Sequence, residues 1–147
     1  MKYFITTFLI FNFILSFCMS EDNDYFQIDH MNLVAKKKKK KLVGNIDLGK
    51  EVFSSRRVNC LSCHEAPIEE EKFQGNFGPS LVGVGTRYNK DEIRLRVIDP
   101  KTVNPDTIMP SYFKKINYER TPKNFLNKTI LSAQEVEDLV EYLYSLK

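Results

Sequence analysis

Tryptophan is absent from this chain of 147 residues, and cysteine, histidine and methionine are sparse, at three, two and four. Each scarcity removes an option. Cys60 and Cys63 make one pair, and the remaining Cys18 and His30 lie far upstream. A tetrahedral zinc site, which usually draws on two separated ligand pairs, therefore lacks its second half. The one long apolar run, Tyr3 to Phe17, is shorter than the ~20 residues a spanning helix needs. A basic surface is missing too. From Leu42 to Lys147 a direct count gives 15 Lys and Arg against 15 Asp and Glu, so the net +3 comes from Lys2 and the run Lys36–Lys41, partly offset by Glu21, Asp22, Asp24 and Asp29. A nucleic-acid partner would need those cations on the domain rather than on a tail. Aromatics other than tryptophan are plentiful and charge is moderate, a globular composition. The length suits one domain plus extras.

What is present centres on Cys60-Leu61-Ser62-Cys63-His64, the C-x-x-C-H signature of covalent haem attachment. Positions i, i+3 and i+4 share one face of a helical turn. Two thiols so spaced can add to the two vinyl groups of one haem, and the histidine can bind its iron as an axial ligand. A thioredoxin-type motif would open a helix in a βαβ context, and no buried parallel strand precedes this one. A plain disulfide between Cys60 and Cys63 would leave His64 without a role.

Upstream, Met1-Lys2, the apolar run, and small Cys18 and Ser20 at −3 and −1 of a cut before Glu21 read as a secretory signal peptide over 1–20. Retention as an anchor and lipidation at Cys18 are the alternatives. Export, to the periplasm, agrees with c-type haem. Residues 21–43 read as an N-terminal extension with a poly-Lys linker: Glu21–Ala35 shows no clear period and reads as flexible or as a strap, with His30 a solvated side chain. The six lysines Lys36–Lys41 repel one another. They read as a solvated linker in preference to a docking arm for an acidic partner or an anionic membrane.

The domain is expected from Gly44 to Lys147. Asn45 caps a helix from about Ile46 to the mid-fifties, and Asp47 suits its first turn. Gly49 inside that helix costs about 1 kcal/mol relative to Ala, which close approach by another helix, with Phe53 alongside, would offset. Glu65–Gly75 reads as loop. Gly78-Pro79-Ser80-Leu81 follows, with Gly83, Gly85 and Arg87. Pro79 leaves its carbonyl free to accept a bond from a ligating histidine. Asp91–Ile98 reads as a short helix capped by Asn89 or Asp91 and ended before Pro100. Asn104–Pro110 is a loop. Met109 in it is the only methionine after Met31, so it is the candidate sixth ligand to iron. Ser111–Ile130 is polar and aromatic, broken at Pro122. Ser132 and Glu135 form a capping box, and Leu131 with Val136 a hydrophobic staple. Val136, Leu139, Val140 and Leu143 then make a helical stripe expected to dock on the Gly49/Phe53 face.

Helix, C-x-x-C-H, Gly-Pro-x-Leu loop, Met-Pro loop and closing helix, in that order, resemble a class I cytochrome c. That resemblance implies an all-α, cytochrome c-like monohaem fold with its first and last helices packed together around one covalently bound haem c. It implies Cys60 and Cys63 as the attachment points, His64 and Met109 as the iron's axial ligands, the Pro79 carbonyl as acceptor from His64, and Arg87 at a haem propionate. A narrower likeness runs through Val58–His64, Gly78–Gly85, Asp99-Pro100, Asn104–Pro110 and Ile130–Asp138. Together these resemble the X subunit of the Sox sulfur-oxidation cytochrome complex, although the lysine run is outside that pattern. The likeness implies a haem-bearing A-type partner that holds the chemistry, the oxidative coupling of thiosulfate to a cysteine of a carrier protein, an L-cysteine S-thiosulfotransferase-type activity. The X-type subunit would pass the electrons to a small soluble cytochrome. No catalytic pair is visible in the chain itself. A free-standing carrier between respiratory complexes is the alternative, and an enzyme such as a peroxidase, which needs an open iron, is a third reading.

Overall fold

A computed structural model describes residues 24–115 and 117–147. The signal segment and Cys18 lie outside these residues. Among the described residues no helix is long and apolar enough to cross a membrane.

The elements are strands β1 (Phe26–Asp29) and β2 (Val34–Lys37), then helices α1 (Ile46–Ser54), α2 (Val84–Arg87), α3 (Lys90–Ile98) and α4 (Ala133–Ser145). Single 3-10 turns occur at Cys60–Ser62, Pro100–Thr102 and Lys123–Phe125. The helices start where their caps dictate. The Asn45 side chain accepts from the Leu48 N–H. Asn89 and Glu92, and likewise Ser132 and Glu135, form reciprocal capping boxes.

The core is the crossing of α1 and α4. Phe53 stacks against Tyr142, with ring centroids 5.5 Å apart, while Leu139, Val140 and Leu143 are buried beneath. Gly49 permits this closeness: a Cβ there would lie 2.0 Å from the Asp138 carbonyl oxygen. The Asp138 carboxylate, itself buried, accepts from the Asn45 N–H at 2.8 Å and from Gln134 at 2.9 Å. It thereby joins the start of α1 to α4. Tyr142 Oη is buried with no partner among the described residues. A buried hydroxyl without a bond is a desolvation cost. Tyr142→Phe is therefore expected to be neutral or stabilising by up to about 1 kcal/mol in guanidinium denaturation. A loss larger than that would mean the hydroxyl is bonded after all.

The all-α expectation needs one correction. Residues 26–37 form an antiparallel hairpin, pairing Phe26 with Lys37 and Ile28 with Ala35. The Asp29 carboxylate closes its turn by accepting from the Met31 and Asn32 N–H groups. Phe26 and Ala35 are fully buried, and Phe26 meets Phe113 edge-on at 5.1 Å. The lysine run is likewise no free linker. Lys36 and Lys37 belong to β2, Lys37 lies 3.6 Å from Glu137, and Lys39 sits 4.3 Å over the Tyr25 ring. Burial of the two apolar side chains and these partners outweigh lysine–lysine repulsion. Arg94 fastens the hairpin to the helices. It is buried, binds Glu137 through Nε and Nη2 at 2.5 and 3.1 Å, and donates to the Ala35 carbonyl at 2.7 Å and to Asp91. Burial opposes its charge, but these acidic partners more than offset that and hold its pKa above the ordinary value.

Candidate functional site

The C-x-x-C-H segment follows Asn59, which adopts a left-handed conformation at φ 56°. It forms a 3-10 turn rather than a turn of α-helix. The Cys63 and His64 N–H groups both donate to the Cys60 carbonyl, at 3.1 and 2.9 Å. The compact turn still brings both sulfurs and the imidazole to one cavity. Cys60 is buried and Cys63 half-buried. Burial pushes the Cys60 thiol up to about 11.

The glycine-rich stretch wraps around this turn. Gly75 N–H donates to the Leu61 carbonyl at 2.7 Å, Gly78 N–H to Cys63 at 2.6 Å, and Leu81 N–H to Glu65 at 2.8 Å. The lacing sets the Pro79 carbonyl 2.8 Å from His64 Nδ1. Donation through Nδ1–H leaves Nε2 with its lone pair and fixes the ring's orientation. Gly78 makes the approach possible, since a Cβ there would lie 2.5 Å from His64 Cε1. Arg87 braces the same loop, donating to the Ser80 and Val82 carbonyls at 2.8 and 2.6 Å.

Cys60, Cys63, His64, Pro79, Arg87 and Met109 all line one cavity of about 450 Å³. Its walls come from every part of the domain: Phe53 of α1, Ile93 and Val97 of α3, Leu139 and Leu143 of α4. They are mostly apolar, with polar lining from residues that include Arg87, Arg96, Asn59, Asn104, Ser80 and Thr107. An apolar slot with two thiols, an oriented imidazole and a thioether fits a haem, whose porphyrin is flat and apolar and whose propionates are charged.

Two lining residues were not legible in the sequence. Arg96 brings a second guanidinium to the cavity and stacks over the Tyr88 ring at 4.0 Å. Nothing local marks it, because its role depends on Tyr88, which lies outside its own helix. Tyr112 donates to the Val58 carbonyl at 2.8 Å, beside the buried Cys60. Burial, reinforced by the neighbouring Cys60, raises its phenol pKa. Its surroundings carry no periodic pattern to mark it.

A family model for cytochrome c matches residues 46–147. The chain belongs to the cytochrome c family. Among solved structures this cytochrome is similar to the crystal structure of SoxXA from P. pantotrophus. The TM-score is 0.71 and the identity 26%, over 83% of this chain and 94% of that one. The comparison with curated proteins gives no match. The cofactor is thus a covalently bound haem c, and the role is electron transfer. The haem iron supplies a one-electron couple. The chain keeps that group in an apolar crevice and orients the His64 imidazole through Pro79.

Proposed function

We propose that this cytochrome is the electron-transfer subunit of a periplasmic thiosulfate-oxidising complex. It would pair with a haem-bearing A-type subunit and take up the electrons released when thiosulfate is joined to a carrier-protein cysteine. A small soluble cytochrome would be the next acceptor. The observation that carries this reading is the likeness to a SoxXA chain over 94% of that chain's length. It agrees with the Gly78–Gly85 and Asn104–Pro110 motifs at the cavity.

In this reading Cys60 and Cys63 are the thioether anchors, and His64 and Met109 the axial ligands. Histidine–methionine ligation raises the iron's reduction potential, which suits an electron acceptor. The residues around the cavity need perform no bond-making step: they exclude water and hold the ligands. Phe77 and Ile108 line the cavity yet are 75% and 71% exposed. They would offer an apolar rim to a partner.

Co-purification tests the proposal. The tagged cytochrome, recovered from the periplasm of thiosulfate-grown cells, is expected to bring down a second haem-staining polypeptide in fixed ratio. Recovery as a lone monomer under those conditions would favour a free-standing carrier.

A further inference from the structure

Met109 sits in the connection between α3 and α4, where Val103 and Met109 itself pack against the core. Hydrogen bonds also hold the shape of this loop. The Asn104 N–H donates to the Pro100 carbonyl at 2.9 Å, and the Thr107 N–H to the Asn104 carbonyl at 3.1 Å. The Asp106 N–H donates to Asn104 Oδ1 at 3.1 Å. The Met109 N–H donates to Thr107 Oγ1 at 3.2 Å. Across the loop reaches one cation. Lys101 Nζ donates to the Pro105 carbonyl at 3.3 Å and to the Thr107 carbonyl at 2.9 Å.

The other side of Met109 is held separately. Ser111 Oγ donates to the buried Asp99 carboxylate at 2.8 Å, and the Tyr112 N–H to the Val97 carbonyl at 3.1 Å. The two anchors, Asp99 and Lys101, leave the same end of α3 two residues apart. Met109 lies midway between Thr107 and Ser111, the residues they grip. The downstream anchor is largely buried and would survive alone. The upstream one has a single ammonium at its centre. Without Lys101 the Pro105 and Thr107 carbonyls turn to water, and Asn104–Ile108 keeps only its short-range bonds, to Pro100 and among Asn104, Asp106, Thr107 and Met109.

We propose that Lys101 is a positioning residue that keeps the Met109 thioether on the haem iron. This rests on Met109 being the axial ligand. Lys101 touches neither the sulfur nor the iron. It acts by restricting the segment that carries Met109. An external ligand that competes for the iron must displace the thioether, so its affinity reports how firmly the loop holds.

The test uses the ferric holoprotein titrated with imidazole, together with the weak near-infrared sulfur-to-iron band. Lys101→Met keeps the aliphatic stem and removes the donors. It is expected to raise imidazole affinity roughly tenfold, the size of one net hydrogen bond, since water replaces much of what an exposed ammonium gives, and to weaken the band. Lys101→Arg, which keeps a cation and its donors, should restore wild-type affinity. Affinity within twofold of wild type in Lys101→Met would overturn the proposal, as would a rise in affinity that Lys101→Arg shares. Met109→Ala separates the two layers. If it abolishes the band while Lys101→Met behaves as wild type, the ligand stands and only the role of Lys101 falls. If it leaves the band intact, both fall.

Discussion

Replacing Cys60 and Cys63 together by alanine is expected to leave the chain largely unstructured by circular dichroism. The reason is volume. The cavity at the centre of the domain measures about 450 Å³, and its walls include Phe53, Leu139 and Leu143, residues that also make the α1–α4 crossing. A dry residual cavity costs roughly 24 cal/mol per Å³, so a space of this size would cost at most on the order of 10 kcal/mol, less where its rim admits water. That rivals the whole stability of an ordinary domain, about 5–15 kcal/mol. Collapse of the walls would recover part of the loss, but only by giving up the packing that defines the fold. The outcome that would sink this expectation is a cooperative thermal transition in the double variant.

Gly49→Ala is expected to lower the thermal midpoint of the holoprotein by roughly 10 °C, given about 4–8 °C per kcal/mol for a domain of this size. Two terms compete. Alanine gains about 1 kcal/mol of helix propensity over glycine. Against this, its Cβ would meet the Asp138 carbonyl oxygen at 2.0 Å and Tyr142 Cβ at 2.7 Å. Neither neighbour is the far end of a flexible side chain, so the helices must separate. Overpacking of this kind costs about 1–3 kcal/mol and occasionally more. Here it also strains the hydrogen bond from Asn45 to Asp138 and the contact of Phe53 with Tyr142. The clash should win. A midpoint equal to or above wild type in differential scanning calorimetry would show that α1 and α4 can move apart freely.

The parts of the molecule legible in the sequence are those whose cause is local. Asn45, Asn89 and Ser132 each announce a helix because a cap acts within one turn. The stripe of Val136, Leu139, Val140 and Leu143 shows which face is buried because its period is that of one helix. Cys60, Cys63 and His64 are legible because one cofactor imposes their spacing, and Met109 because almost nothing else in the chain offers a thioether. The features that escaped depend on distant partners. The strands that carry Phe26 and Ala35 are covered by Phe113 and α3, and a run of lysines hides their pairing. Lys36 and Lys37 look solvated until Asp29 and Glu137 are brought alongside. Arg96 needs Tyr88, Tyr112 needs the Val58 carbonyl, and Lys101 needs a loop whose path its own side chain helps to set.

The joint between α1 and α4 also fixes an order of events. Asn45 and Asp138, bonded in the finished molecule, are 93 residues apart along the chain. During synthesis the first half of that contact waits for the second, and contacts so far apart in sequence form late. Until the final helix arrives, the wall that Leu139 and Leu143 supply is missing, and the crevice lined by Cys60 and Cys63 lacks that side. The last helix in the chain is therefore the one that completes the cofactor's enclosure.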